Sequence, residues 1–175
     1  RINRAQAVPP LLTALNSPDP ERRLDALHAF RERGGEEAGV ALQWMAAADP
    51  EERVVAAAIE SLSRIATPEA ISALLELTVD PSIRETCLDA LVTRNCPQRL
   101  QGEYIELIAE GLRHVHPGVR CSVVEVLKRL KHPQASECLI EALGDSDQNV
   151  RLAAVNALVS LGNRTCEAQL ARLAR

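Results

Sequence analysis

A short phrase recurs five times along this chain: Asp-Pro or a close relative, an Arg a few residues on, then an apolar helix pattern. The copies begin at Asp19-Pro20, Asp49-Pro50, Asp80-Pro81, His116-Pro117 and Asp147-Gln148. A unit of roughly 30 to 35 residues cannot bury its own apolar face and must stack on its neighbours, so this period constrains the fold more than any other feature. Anchored at Arg23, Val55, Arg84, Arg120 and Arg151, the copies are spaced 32, 29, 36 and 31 residues apart.

In that register the positions three and four residues past each anchor are Ala26-Leu27, Ala58-Ile59, Cys87-Leu88, Val123-Val124 and Ala154-Val155. Seven past it stand Phe30, Leu62, Leu91, Leu127 and Leu158. Apolar residues at +3, +4 and +7 form one stripe of a helix, and small residues recur at +3, where helices can approach closely. A second helical pattern lies between these stripes, over residues 5–16, 36–47, 68–79, 103–114, 133–143 and 165–174. Asp19, Asp49 and Asp80 are placed to cap a helix start, with Pro following where no amide hydrogen is needed, and Thr67-Pro68-Glu69 opens a first helix in the same way. Gly34-Gly35 and Gly162 mark helix ends. The expected fold is all-α, with paired helices stacked copy on copy.

The Asp-Pro-x-x-x-Arg turn of Asp80–Arg84, followed by an Ala/Leu-rich helix such as Arg151–Leu158, resembles a HEAT repeat, in particular the short bacterial kind named after phycobilisome lyases. The resemblance covers nearly the whole chain. It implies a right-handed α/α solenoid of about five helix pairs plus a terminal helix at 165–174, forming one domain over residues 1–175. The copies fall at 5–34, 35–66, 67–95, 103–131 and 132–162. It also implies an Asp/Arg ladder, carried onto Asp19/Arg23, Asp80/Arg84 and Asp147/Arg151. Two departures interrupt that ladder: His116 stands for Asp in the fourth copy, and Val55 stands for the anchor Arg in the second, with Arg53 nearby.

In HEAT-like stacks the second helix of each pair lines the concave face. The row five past the anchors reads His28, Glu60, Asp89, Glu125 and Asn156; the row nine past reads Glu32, Arg64, Thr93, Arg129 and Ser160. Acids recurring a repeat apart, with Arg64 and Arg129 beside them, suggest a partner-binding face; any one of these residues alone reads better as a solvated helix position, and it is the register across copies that raises the row above that background. Trp44 occupies a position held by Glu76, Glu141 and Arg172 in sister copies, which places it outward as a possible interface anchor. The stretch Asn95–Gly102 lengthens one repeat and is read as a tolerated insertion. The last segment, with Ala168, Leu170 and Leu173, is apolar enough to suggest end-to-end self-association.

Other chemistries fit poorly. HEAT-like deoxyhypusine hydroxylases bind iron through His-Glu pairs, and no His-Glu dipeptide occurs here. His114, His116 and His132 with Cys121 are the remaining metal candidates, but His116 and His132 each precede a Pro at a helix start, where capping is the simpler role, so no metal and no cofactor are expected. No phosphate loop or nucleophile motif is present. Cys87 and Cys138 stand where sister copies carry Ala and read as small core residues. The odd count of five Cys, with no CxxC, argues against a disulfide framework or a structural zinc and suits a reducing cytoplasm.

Net charge is −4, with nine acids and two Arg in residues 36–80 and eight bases and six acids in 81–131. No basic stripe dominates, so nucleic acid is not an expected partner, and no apolar run is long enough to span a membrane. The chain begins Arg1-Ile2-Asn3 without Met and stops inside an apparent helix at Arg175, which suggests a piece of a longer protein. The expected role is a non-catalytic protein-interaction or regulatory scaffold with a protein partner on the concave face. A bilin lyase-like enzyme subunit is the alternative, weakened by the presence of only one Phe, one Trp and one Tyr. A helical-repeat DNA-binding enzyme fits worst, because it would need a basic groove with aromatic residues.

Overall fold

A computed structural model describes residues 8–33, 36–65, 67–92 and 101–162 of the protein. Gly34-Gly35, most of the 95–102 stretch and the expected helix at 165–174 lie outside these residues. The described residues form ten α-helices and no strand: α1 (Val8–Leu15), α2 (Pro20–Arg33), α3 (Glu36–Ala48), α4 (Glu52–Ile65), α5 (Pro68–Leu77), α6 (Arg84–Val92), α7 (Gln101–Glu110), α8 (Pro117–Leu130), α9 (Pro133–Ala142) and α10 (Gln148–Ser160). One 3-10 turn, Gly111–Arg113, follows α7.

The helices group into two compact units, Arg1–Leu77 and Thr78–Arg175. In the first, α1 packs on α2 and α3 on α4; α2 then lies against α4, and α3 against α5. In the second, α7 packs on α8 and α9 on α10; α6, α8 and α10 form one layer, and α7 and α9 form the other. First helices therefore stack on first helices and second on second, which is the arrangement of an α-solenoid.

The repeating stripe is the core. Ala26, Leu27, Phe30, Ala58, Ile59, Leu62, Cys87, Leu88, Leu91, Val123, Val124, Leu127, Ala154 and Leu158 are all at most 3% exposed. Val155 alone is half-buried. Facing them from the first helices are Leu42, Met45, Leu74, Ile105, Ile108 and Leu139. The single Tyr is a core residue too: Tyr104 is buried, and its hydroxyl donates to the Leu91 carbonyl at 2.6 Å. That bond occupies one of the carbonyls that the end of α6 leaves without a helical donor.

The turns repeat as closely as the helices. Two nested side-chain acceptors prepare α2, α8 and α10, and one of the two serves α4 and α6. Six residues before the anchor, Ser17, Asp49, His114 and Asp145 accept from the amides of Asp19 (3.2 Å), Glu51 (2.9 Å), His116 (3.1 Å) and Asp147 (2.7 Å). Four residues before it, Asp19, Asp80, His116 and Asp147 accept from Glu21 N, Ser82 N, Gly118 N and Asn149 N, between 2.8 and 3.1 Å. His132 does the same for α9, accepting from Gln134 N at 3.3 Å. Caps of this kind contribute about 1 kcal/mol each.

The anchor arginine ties these turns together. Arg23 donates through Nη1 to the carbonyls of Ser17 (2.9 Å) and Pro18 (3.4 Å) in its own turn. Its Nε and Nη2 then grip both oxygens of Asp49, at 2.8 and 2.9 Å. Arg120 repeats the arrangement: Nη1 to His114 O (2.8 Å) and Val115 O (3.1 Å), Nε and Nη2 to Asp145 at 2.7 and 2.8 Å. Arg151 keeps the first half, donating to Asp145 O and Ser146 O at 2.8 and 3.0 Å. Both bidentate arginines are 8% exposed, the condition in which a planar fork on a carboxylate is strongest.

Of the residues expected in the ladder, Arg23 thus meets a carboxylate, but that carboxylate is Asp49, and Asp145 serves Arg120. Asp19, Asp80 and Asp147 act as caps. Arg84 reaches Ser122 Oγ at 3.4 Å, because His114 stands where Asp49 and Asp145 do. Arg53 lies outside the ladder, exposed, pairing with Glu21 (3.2 Å) and Glu51 (3.3 Å).

Two consequences are measurable. Lys131 closes α8 in the left-handed region, φ 52°, where a side chain costs about 1 kcal/mol. Lys131→Gly should therefore raise the thermal midpoint by a few degrees. The second concerns Asp145, whose carboxyl is held below its ordinary 3.8 chiefly by the Arg120 hydrogen bonds. A carboxyl depressed in the folded state adds stability above its unfolded value, and that stability is lost as pH falls through the folded value. Asp145→Asn should be several degrees less stable than wild type near neutrality, with the gap closing below the ordinary aspartate range. A gap that ignores pH would contradict the pairing.

Candidate functional site

The surface of the second helices carries the polar rows. In the first unit His28 and Glu60 are exposed, and Glu60 pairs with Arg64 one turn on, at 3.1 Å. Both side chains of that pair are about 60% exposed, so water and salt screen it heavily. In the second unit the residues converge. Arg129 on α8 contacts Glu125 Oε1 at 2.8 Å on its own helix, and Asp89 Oδ1 at 3.1 Å and Glu85 Oε2 at 2.9 Å on α6. Lys128 forms a further ion pair with Glu125. Asn156 is exposed on α10.

Arg129 is the hub of this cluster, with its side chain 27% exposed. Burial pushes the Glu125 carboxyl up, but the hydrogen bonds from Lys128 and Arg129 outweigh it and hold the group below its ordinary value. The Glu125 hydrogen bond likewise raises Arg129. The acids of this unit therefore present a mixed-charge network, with two cations set among three carboxylates. Glu85 belongs to it and was not singled out by the row of fifth positions. The signal that would have found it is the packing of α6 on α8, which sets the ninth position of one copy beside the first and fifth of the copy before.

Trp44 is 55% exposed on α3, with Val40 one turn before it 66% exposed. The remaining reactive side chains have structural roles. Cys87 is fully buried, and burial pushes its thiol up to about 12. Cys121 and Cys138 are half-buried and raised by the same cause. His114, His116 and His132 each accept a backbone N–H through Nδ1. Among the described residues no group of three or more His, Cys, Asp or Glu is placed to hold a metal ion, and no helix is long and apolar enough to cross a membrane. Cys96 and Cys166 lie outside the described residues. In the folded protein Cys87 should stay unmodified by a thiol reagent followed by peptide mapping, and should react once denaturant is added.

A family model of HEAT repeats matches residues 8–92 and 105–175. Among solved structures, a chain from the microtubule plus-end tracking system of XMAP215, CLIP-170 and EB1 is 19% identical, with 86% of this chain and 76% of that one covered and a TM-score of 0.56. The CpcE–CpcF complex of phycocyanin lyase from a Nostoc species is 21% identical over 87% of this chain and 98% of that one, with a TM-score of 0.43. Human deoxyhypusine hydroxylase in complex with glycerol is 24% identical over 96% and 67%, also with a TM-score of 0.43. No curated protein matches the chain. The first of these likenesses bears on fold alone, and it agrees with the stacked layers and the repeating turns. The chain belongs to the HEAT-repeat family.

Proposed function

We propose that the chain is a non-catalytic protein-interaction or regulatory scaffold module that binds a protein partner through its second helices, the face that is concave in HEAT-like stacks. The residues of that face are His28, Glu60 and Arg64 in one unit, and Asp89, Glu125, Arg129 and Asn156 in the other. The observation that carries the reading is the cluster around Arg129. Arg129 draws three carboxylates from two helices together, and Glu125, 28% exposed and held by both Lys128 and Arg129, is ordered before any partner arrives. Ordering rotamer-rich side chains on binding costs about 0.5 to 1.5 kcal/mol each, and a pre-formed network avoids much of that cost. The cysteines argue against nucleophilic chemistry, since burial raises all three described thiols.

Charge reversal at the exposed members tests the face without touching the core. A partner captured from native lysate by the wild-type chain should be lost with Glu60→Lys/Asp89→Lys, while the thermal midpoint stays within a degree or two. Undiminished capture by that variant would exclude the second-helix face.

A further inference from the structure

The α3 helix has two apolar faces and only one of them is covered. Ala38, Ala41, Leu42, Met45 and Ala46 are buried against the neighbouring helices. On the opposite side Val40, Trp44, Ala47 and Ala48 are exposed, spaced as one stripe down the helix. A helix apolar all round is ordinarily buried all round. Register shows that this stripe is a departure. The exposed positions 17 and 21 residues past the anchor, Val40 and Trp44 in the first copy, are Ser72 and Glu76 in the second and Glu137 and Glu141 in the fourth, all of them exposed.

What could cover the stripe is indicated by its surroundings. α5, packed beside α3, carries the exposed Glu69 and Glu76, and neither helix has a Lys, Arg or His. Gln43 donates to Glu76 at 3.0 Å, fixing that carboxylate to the helix that bears Trp44. A second copy of the chain meeting this face through its own would set Glu69 and Glu76 against their counterparts, which like-charge repulsion disfavours. An apolar centre flanked by the acids of α5 matches a partner of opposite pattern: apolar residues at helical spacing with Lys and Arg beside them. The small Ala47 and Ala48 let a helix approach closely, and the large Trp44 supplies the anchor.

We propose that the outward stripe of α3, centred on Trp44, docks a basic amphipathic helix of a partner protein. The surface is separate from the second-helix face, and each can fail without the other.

Trp44 is the chain's single Trp, so intrinsic fluorescence reports on this site alone. The probe is a Trp-free synthetic helical peptide of about four turns, with Leu on one face and Lys and Arg on the other, labelled for anisotropy. The control keeps the leucines and replaces the bases with Glu. Binding of the basic peptide should shift the tryptophan emission to the blue, weaken with rising salt, and fall about tenfold or more with Trp44→Ala. Glu69→Lys/Glu76→Lys should weaken it as well, while Glu60→Lys/Asp89→Lys should leave it unchanged. Absence of binding, equal binding of the acidic control, or binding indifferent to Trp44→Ala would overturn the proposal. So would a sedimentation experiment in which the chain alone self-associates through Trp44, since a second copy would then be the occupant.

Discussion

The guanidinium groups of Arg23 and Arg120 are the points at which one helix pair is fastened to the next. Each holds the carbonyls of the turn before its own helix and both oxygens of an aspartate in the following turn, 26 and 25 residues on. A short repeat has little core of its own, so the contact between neighbours decides whether the stack has a defined register. Apolar packing of Ala, Leu and Val stripes tolerates sliding. A bidentate fork between two capped turns does not, because a displacement of an ångström breaks several charge-assisted bonds at once. The turn acceptors, from Ser17 to Asp147, shape the backbone that these forks need.

Most of the architecture was legible because it is local. The +3, +4 and +7 stripe is a property of single helices, and the residues it selects form the core with the partial exception of Val155. The second helical pattern between stripes was equally visible, and the outward position of Trp44 followed from its register with Glu76 and Glu141. The ladder was less legible. Aligning copies on Asp-Pro puts Asp49 in the same class as Asp19, yet Asp49 does the work that Ser17 occupies in the first copy. Position within a turn is counted from the buried stripe, and Asp49 lies six residues before Val55 whereas Asp19 lies four before Arg23. The partner of each arginine depends on a contact 25 or 26 residues away, which no local pattern contains. The Arg129 cluster was partly hidden for the same reason: Glu85 joins it only through the packing of α6 on α8.

Charge is sorted by layer. The first helices α3, α5, α7 and α9 carry carboxylates and no Lys, Arg or His. Among the described residues, the second helices α2, α4, α6, α8 and α10 carry the four anchor arginines and most of the other Lys and Arg. The modest net charge of −4 therefore conceals, within each unit, second helices of mixed charge and first helices that carry acids alone among their charged residues.

The ladder makes a claim that one measurement tests directly. His114 occupies the place, six residues before Arg120, where Asp49 and Asp145 serve the preceding arginine, and that arginine is Arg84. A double-mutant cycle on thermal stability should combine His114→Asp with Arg84→Ala. The account predicts that His114→Asp stabilises the protein when Arg84 is present and that the gain disappears with Arg84→Ala. An effect of His114→Asp that is the same in both backgrounds would contradict it.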